Sequence, residues 1–183
     1  MSERWMIASD LHGDRCCVEA LLERFFESGA ERLVLLGDLL YHGPRNDLPA
    51  GYDPKGVITL LNGVKDRLLC VRGNCEAEVD GMVLDFPVFA DYAYLCREGL
   101  TVFATHGHLF HKDKLPPLRA GEILLHGHTH VPVAEPFGDG NWLLNPGSVS
   151  SPKEGSEKSY LIWEGREFIF HALEGREYRR VTV

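Results

Sequence analysis

The sequence predicts an α/β protein, a four-layer α/β/β/α sandwich of two facing mixed sheets. Apolar segments alternate with helix-like segments in the first half, which is typical of stacked β and α layers. The second half is a succession of short apolar runs separated by Gly, Pro and Asn turns. Since 183 residues suit one hydrophobic core, we expect a single domain over residues 1–183.

The first half is expected to contain three buried strands and two helices. We place the strands at residues 5–9, 32–36 and 68–71. The first helix follows Asp14, whose carboxylate can accept hydrogen bonds from the free amides of a helix start, and Gly29 ends it. The second begins at Pro54 after Asp53, because proline suits the first helical position. Apolar residues recur along one face of each helix.

The second half is expected to be mainly strands. The apolar runs cover residues 83–96, 101–105, 122–125, 142–144, 159–163 and 167–172. Each run has the length of a strand, and turn-forming residues separate it from its neighbours. Two βα units followed by such a region predict two sheets packed face to face, with the helices outside.

Composition excludes several classes of protein. The formal charge is −8, and the only basic cluster is Arg176, Arg179 and Arg180, so we expect no nucleic-acid groove. No segment approaches the roughly 20 apolar residues of a membrane span, and acidic residues occur before a signal-peptide core could form. We therefore expect a cytoplasmic location and no membrane contact. The five cysteines include the adjacent Cys16 and Cys17, which favours reduced thiols over disulfides.

Five polar clusters follow predicted strands. They are Asp10-Leu11-His12, Gly37-Asp38, Gly73-Asn74-Cys75-Glu76, Thr105-His106-Gly107-His108 and Gly127-His128-Thr129-His130. The carboxyl ends of strands in an α/β sheet open into one crevice, so side chains that are distant in sequence can converge there. The glycines beside these clusters permit sharp turns and close backbone approach. We therefore expect one composite site.

The side chains in these clusters are metal ligands of the hard to borderline type. The expected ligands are Asp10, His12, Asp38, Asn74, His106, His128 and His130. Carboxylate, amide and imidazole groups without paired thiolates fit Mn²⁺ best, with Fe²⁺, Zn²⁺ or Ni²⁺ as alternatives, and disfavour Ca²⁺. Seven ligands suit two divalent ions about 3.5–4 Å apart, bridged by one carboxylate. We expect Asp38 to be that bridge.

The ordered series of clusters resembles the calcineurin-like metallophosphoesterase superfamily over residues 7–130. The segment 127–130 followed by Asn145-Pro146-Gly147-Ser148 is similar to the small bacterial phosphodiesterases of the YfcE type. This resemblance implies the four-layer fold and the grouping of the ligands. One ion is expected at Asp10, His12 and His130, the other at Asn74, His106 and His128, with Asp38 shared.

The resemblance further implies a metal-dependent phosphodiesterase that acts on a small phosphodiester. A hydroxide held between two cations would attack phosphorus in line, without a covalent enzyme intermediate. The superfamily usually has a proton-donating His after Gly-Asn, and this chain has Cys75, so we expect Asn74 and Cys75 to be catalytic residues. Proton donation is typically worth about 10²–10⁴-fold in rate. Cys75 is therefore either a proton donor or a small packed side chain beside the site.

Alternative interpretations concern both the reaction and the surrounding residues. The same metal centre would serve a phosphomonoesterase, and a non-catalytic scaffold of the kind found in the retromer subunit would need only the fold. A homo-oligomer is compatible with the sequence. Glu76 could orient a ligand or be a solvated turn residue. His42, Arg45 and Asn46 could contact the substrate phosphate or form a solvated loop, and His108 is expected to support its own loop.

Overall fold

The computed structural model describes residues 3–183, which form two mixed β-sheets, three α-helices and a short 3₁₀-helix (Lys65–Arg67). The helices are α1 (Arg15–Ser28), α2 (Pro54–Asn62) and the short α3 (Asp80–Val83). The first sheet contains, in spatial order, β11 (Glu177–Thr182), β10 (Glu167–Ala172), β9 (Ser159–Glu164), β1 (Arg4–Ala8), β2 (Arg32–Leu35) and β3 (Leu68–Cys70). The second contains β4 (Tyr92–Arg97), β5 (Leu100–Thr105), β6 (Ile123–Leu125), β8 (Asn141–Asn145) and β7 (Val133–Phe137).

Each sheet contains three adjacent parallel strands, at one side of the first sheet and at the centre of the second. In the first sheet β1, β2 and β3 are parallel, with Ala8 opposite Leu35 and Leu35 opposite Cys70. In the second sheet β5, β6 and β8 are parallel, and Leu125 lies between Ala104 and Leu144. Because these strands end level with one another, the residues that follow them start from the same edge of each sheet.

Alternate residues of the central strands enter different cores. Met6 and Ala8 of β1 pack with α1 and α2 on the outer side of the first sheet, and Phe25 is the largest helical side chain there. Ile7 points the other way, into the core between the sheets, where it joins Val34 and residues of the second sheet. This period of two is the expected alternation of a strand buried on both faces.

Both predicted helix starts are confirmed. The Asp14 carboxylate accepts a hydrogen bond from Cys17 N at 3.1 Å, and the Asp53 carboxylate accepts one from Gly56 N at 3.0 Å. Gly29 ends α1 in the left-handed conformation, with φ at 67°. A side-chain cap of this kind typically stabilises a helix by about 1 kcal/mol.

The strand prediction for residues 83–96 was wrong in its first half. Only β4, from Tyr92 onward, pairs with a neighbouring strand, and the preceding segment begins with α3. Leu84, Phe86 and Val88 alternate into the core under the helices, which gives a strand-like pattern without a strand. Pro87, which has no backbone N–H to donate, lies in the middle of that segment.

Two strands were not predicted. β7 contains Pro136 and β11 is largely exposed, and both are edge strands. Edge strands need neither a continuous apolar run nor a full set of hydrogen-bond donors, so their sequences lack the usual signal.

The outer face of the second sheet differs from the predicted helical layer. Within residues 84–183 no helix is present, and the segment 106–121 covers this face instead. Phe110 and Leu118 from this segment pack against Phe103 and Leu124 of the sheet. The adjacent Pro116 and Pro117 are incompatible with a regular helix there. Within residues 3–183, none of the helices combines the length and apolar character that crossing a bilayer requires.

Candidate metal centre

All seven predicted ligands lie together at the edge where the parallel strands of both sheets end. Asp10 and His12 follow β1, and Asp38 follows β2. Asn74 follows β3, and His106 follows β5. His128 and His130 lie beyond β6. Every one except Asn74 and His128 is buried, and His128 is half-buried.

Five of these residues have an unusual backbone conformation. Asp10, His12, Asp38, His128 and His130 have φ between 47° and 65°, in the left-handed region that non-glycine residues rarely adopt. Each such residue costs roughly 1–2 kcal/mol. Main-chain hydrogen bonds between adjacent loops hold the conformation, including His12 N to Asp38 O at 2.9 Å and Asp10 N to Gly37 O at 3.1 Å. These turns direct the side chains inward from the strand ends.

Close backbone approach depends on glycine at two positions. A Cβ at residue 73 would overlap Asp38, and one at residue 127 would overlap Ser9 and approach Asp10 Oδ2 to 2.8 Å. His128 N, next to Gly127, donates to that same oxygen at 3.0 Å. The absence of a side chain therefore lets one ligand-bearing loop hydrogen-bond to the next.

The first group consists of Asp10, His12 and His130. Asp10 Oδ1 lies 3.6 Å from His12 Nε2 and 3.1 Å from His130 Nε2. The two imidazole nitrogens are 3.2 Å apart. Three potential ligand atoms therefore surround one small volume.

The second group contains Asn74, His106 and His128. His106 Nε2 lies 3.1 Å from Asn74 Oδ1 and 3.2 Å from His128 Nδ1. Asp38 lies between the groups, with its Oδ2 3.8 Å from His12 Nε2 and 3.5 Å from His106 Nε2. This is the position that the shared carboxylate was expected to occupy.

Three imidazoles are oriented by main-chain carbonyls. The Nδ1 atoms of His12, His106 and His130 lie 2.9, 2.7 and 2.6 Å from the carbonyl oxygens of residues 41, 36 and 151. Because a carbonyl oxygen only accepts, Nδ1 carries the hydrogen and the lone pair is on Nε2. Those lone pairs point into the site and repel one another unless a proton or a cation lies between them.

The electrostatics of the site favour a bound cation. Burial acts to raise the pKa of Asp10, but hydrogen bonds with His12 and His130 outweigh it and hold the pKa well below the usual value. Burial acts to lower the pKa of His106, but the Asp38 and Asp10 carboxylates raise it to about 9. Burial, with the neighbouring His106, lowers the pKa of His128 to about 4. The carboxylates of Asp10 and Asp38 therefore stay ionised, and they favour positive charge beside them, as a proton on His106 or as a bound cation.

The donor set fits a pair of divalent ions. Asp10 Oδ1 is fully buried beside Nε2 of His130 and Nε2 of His12, at 3.1 and 3.6 Å, and a buried carboxylate oxygen is strongly unfavourable unless a proton or a cation lies between it and these nitrogens. A cation beside it would satisfy this oxygen and the converging nitrogens together. Imidazole, carboxylate and amide oxygen are the ligand types of Mn²⁺, Fe²⁺ and Zn²⁺ sites.

Glu76 joins the loops that carry Asp38 and Asn74. Its carboxylate accepts hydrogen bonds from Asp38 N at 3.1 Å, from Leu39 N at 2.7 Å and from Gly73 N. Two loops that carry predicted ligands are therefore joined through one buried side chain. Burial, with the nearby Asp38, raises the pKa of Glu76. The prediction that Glu76 could be a solvated turn residue is wrong, since its side chain is buried and only 5% exposed.

Replacing Glu76 by glutamine is expected to destabilise the protein by about 1–3 kcal/mol, because an NH₂ group would face backbone donors that need an acceptor. For a chain of this size we expect a Tm lower by about 2–12 °C in thermal denaturation. The exposed Glu78 lies in the same loop, and Glu78→Gln should change stability by less than about 0.5 kcal/mol. Equal Tm values for the two variants would contradict this role.

The segment Asn145–Ser148 lies behind the centre. Asn145 Nδ2 donates to Gly127 O at 2.8 Å and to Thr129 Oγ1 at 3.0 Å, which holds the loop between the two late histidines. The hydroxyls of Ser148 and Ser150 both donate to Asp10 O, at 2.8 and 2.9 Å. Sequence reasoning missed Ser150, because its partner is a main-chain atom distant in sequence.

The remaining candidate residues fall into two sets. Cys75, Arg45 and Asn46 line an opening onto the centre, together with Lys153, which the sequence did not single out. Burial and the nearby Asp38 raise the pKa of Cys75. His42 instead packs against the rings of Tyr41 and Tyr52, away from the ligands.

The arrangement defines a metallophosphoesterase, and comparison with known proteins agrees. The model of the calcineurin-like phosphoesterase superfamily domain matches residues 4–167, and the chain belongs to this superfamily. It is 50% identical over 155 residues to phosphodiesterase YfcE of Escherichia coli K12, which covers 85% of this chain and 84% of that protein. It is 26% identical over 168 residues to YsnB, a probable metallophosphoesterase of Bacillus subtilis, covering 86% and 81% of the two chains.

Solved structures show the same fold. The structure of YfcE, a phosphoesterase from E. coli, aligns with a TM-score of 0.94 at 45% identity and covers 98% of both chains. Vps29 from Cryptosporidium parvum aligns with a TM-score of 0.60 at 15% identity, covering 100% of this chain and 99% of that one. At 15% identity, the match to Vps29 shows only that the two proteins share a fold. The α/β sandwich of two facing mixed sheets is confirmed.

Proposed function

We propose that this protein is a metal-dependent phosphodiesterase that hydrolyses small phosphodiesters. The observation that carries the proposal is the buried cluster of imidazole nitrogens and carboxylate oxygens, whose ligand atoms lie close enough together to hold a metal ion. The 50% identity to a protein named as a phosphodiesterase supports the diester as the substrate class. Membership in a phosphoesterase superfamily supports hydrolysis at phosphorus.

In this proposal the ligands form two groups around a shared carboxylate. One cation would be held by Asp10, His12 and His130 and the other by Asn74, His106 and His128, with the Asp38 carboxylate between the two groups. When bound, two divalent ions supply an activated water for in-line attack and neutralise the charge of the phosphoryl group. Mn²⁺ is the first choice, with Fe²⁺, Zn²⁺ or Ni²⁺ as alternatives.

The protein contributes orientation and charge around that chemistry. The main-chain carbonyls fix the imidazoles, so little reorganisation is needed when substrate binds. Arg45 and Lys153 are exposed at the opening and can attract the phosphate group. We assign Asn74 and the thiol of Cys75 to the substrate side, since Cys75 lines the same opening and accepts a hydrogen bond from Asn74 Nδ2 at 3.2 Å.

Phosphomonoester hydrolysis is the second candidate, because the exposed side chains of Arg45 and Lys153 at the opening also suit a dianionic phosphate. The test compares para-nitrophenyl phosphate with bis(para-nitrophenyl) phosphate in the presence of Mn²⁺, Fe²⁺, Zn²⁺ or Ni²⁺. We expect kcat/KM for the diester to exceed that for the monoester by about tenfold or more, with the highest rate in Mn²⁺. A higher value for the monoester would favour the second candidate.

A non-catalytic scaffold has the weakest support. Vps29 shares the fold, but a scaffold has no need for the buried, strained ligand set described above. Absence of hydrolysis with every metal and both substrates would bring this alternative forward. The single domain, the cytoplasmic location and a homo-oligomer stay predictions from the sequence.

A further inference from the structure

Two openings lead away from the metal centre, and they differ in chemistry. One, which we call the arginine–lysine cleft, is lined by Arg45, Asn46 and Lys153. The imidazole of His128 borders this cleft and also the second opening. A molecule whose phosphorus lies at the centre can therefore extend into both.

The second opening, the valine–leucine cavity, has a volume of about 480 Å³. Val133 and Leu143 form part of its wall, together with the imidazoles of His108, His111 and His126. Val133 is half-buried and Leu143 buried, and both belong to the apolar cluster outside the second sheet. The cavity therefore offers apolar contact within reach of the metal centre.

The charges of the two openings are opposed. In the arginine–lysine cleft, Arg45 and Lys153 form no ion pair with any residue of the described part of the chain. In the valine–leucine cavity the one lysine, Lys112, is paired with Glu135 at 2.6 Å, and Asp113 adds a further negative charge. An anionic group is favoured in the first opening and disfavoured in the second.

This contrast separates the two substituents of a phosphodiester. The leaving oxygen gains negative charge in the transition state, so cations that are free to contact it lower the barrier. The substituent that stays on phosphorus does not change its charge. An opening that has no unpaired basic side chain can therefore hold that substituent without raising the barrier of the reaction.

We propose that the valine–leucine cavity binds the substituent that stays on phosphorus, and that this substituent is an uncharged aryl or similar apolar group. The leaving group departs toward Arg45 and Lys153. This inference rests on the proposed phosphodiesterase function and specifies its substrate class, an asymmetric phosphodiester with one apolar substituent. A monoester has no group to place in the cavity, so the cavity also accounts for a preference for diesters.

The test uses two diesters with the same leaving group, para-nitrophenyl phenyl phosphate and methyl para-nitrophenyl phosphate. We expect the wild-type protein to prefer the phenyl ester by about tenfold or more in kcat/KM, chiefly through KM. Val133→Arg should lower kcat/KM for the phenyl ester about tenfold more than for the methyl ester, which abolishes this preference. Val131→Arg is the matched control, because Val131 is also half-buried but borders a different depression, and it should keep the preference.

A binding measurement needs no variant and no turnover. Phenylphosphonate should inhibit competitively at a concentration about tenfold lower than methylphosphonate, and it alone should shift the methyl NMR signals of Val133 and Leu143 in the Zn²⁺-loaded protein. Equal inhibition by the two phosphonates, or a phenyl preference that persists in Val133→Arg, would overturn the role of the cavity. If no diester is hydrolysed but phenylphosphonate still shifts those signals, the cavity assignment stands and the proposed phosphodiesterase function fails.

Discussion

Replacing Asp38 by asparagine is expected to lower phosphodiester hydrolysis by about 10²–10³-fold. The substitution removes one negative charge from the position between the two ligand groups and keeps the size of the side chain. Asparagine also tolerates the φ of 57° at this position, so the backbone conformation should persist. The loss would therefore report on the carboxylate, and we expect native mass spectrometry to show fewer than two bound ions.

Asp80→Asn is the matched control for this measurement. Asp80 is buried, like Asp38, but its carboxylate accepts a hydrogen bond from Ala77 N at 2.9 Å and lies outside the ligand set. We expect this variant to keep its metal content and to hydrolyse the diester within about twofold of wild type. If Asp38→Asn retained two ions and wild-type kcat, the shared-ligand assignment would be wrong.

Removal of divalent ions with a chelator is expected to abolish hydrolysis and to lower Tm. A cation present at about 1,000 times its dissociation constant stabilises the native state by about 4 kcal/mol. For a protein of this length that corresponds to roughly 8–16 °C. Differential scanning calorimetry before and after chelation checks the shift, and added Mn²⁺ should restore both Tm and activity.

His12→Ala provides a second comparison for the chelation experiment. Without this imidazole the first group loses one of its three ligand atoms, so the response of Tm to added Mn²⁺ should shrink. His171 lies far along β10, where its ring stacks on Tyr160, and His171→Ala should keep the full response. A Tm that chelation leaves unchanged in the wild-type protein would contradict a resident metal centre.

Much of the site could be predicted because its chemistry lies in short polar clusters after buried strands. The clusters at Asp10, Asp38 and His106 combine side-chain types that rarely occur together at strand ends without a common task. The parallel order of the strands, which follows from the βα units, then brings the clusters to one edge. Local composition and topology were therefore enough to predict that these residues meet.

Other features depend on partners that a sequence does not display. Glu76 receives its hydrogen bonds from backbone amides, and any residue supplies those, so nothing nearby in sequence marks its role. The Ser150 hydroxyl likewise donates to the main-chain carbonyl of Asp10, which any residue type at that position would present. The segment around Phe86 shows the converse error, since alternating burial arose there from contacts with helices and not from strand pairing.

Because main-chain carbonyls orient three of the histidines, the side chains of the residues that carry those carbonyls can be substituted. The carbonyl oxygens that orient His12, His106 and His130 belong to Tyr41, Leu36 and Ser151, and any amino acid at those positions presents the same atom. Replacement of the Tyr41 or Ser151 side chain should therefore leave the direction of the imidazoles intact, as long as the loop path is kept. Designers could vary the residues around the entrance to alter substrate choice while the metal-binding geometry stays as it is.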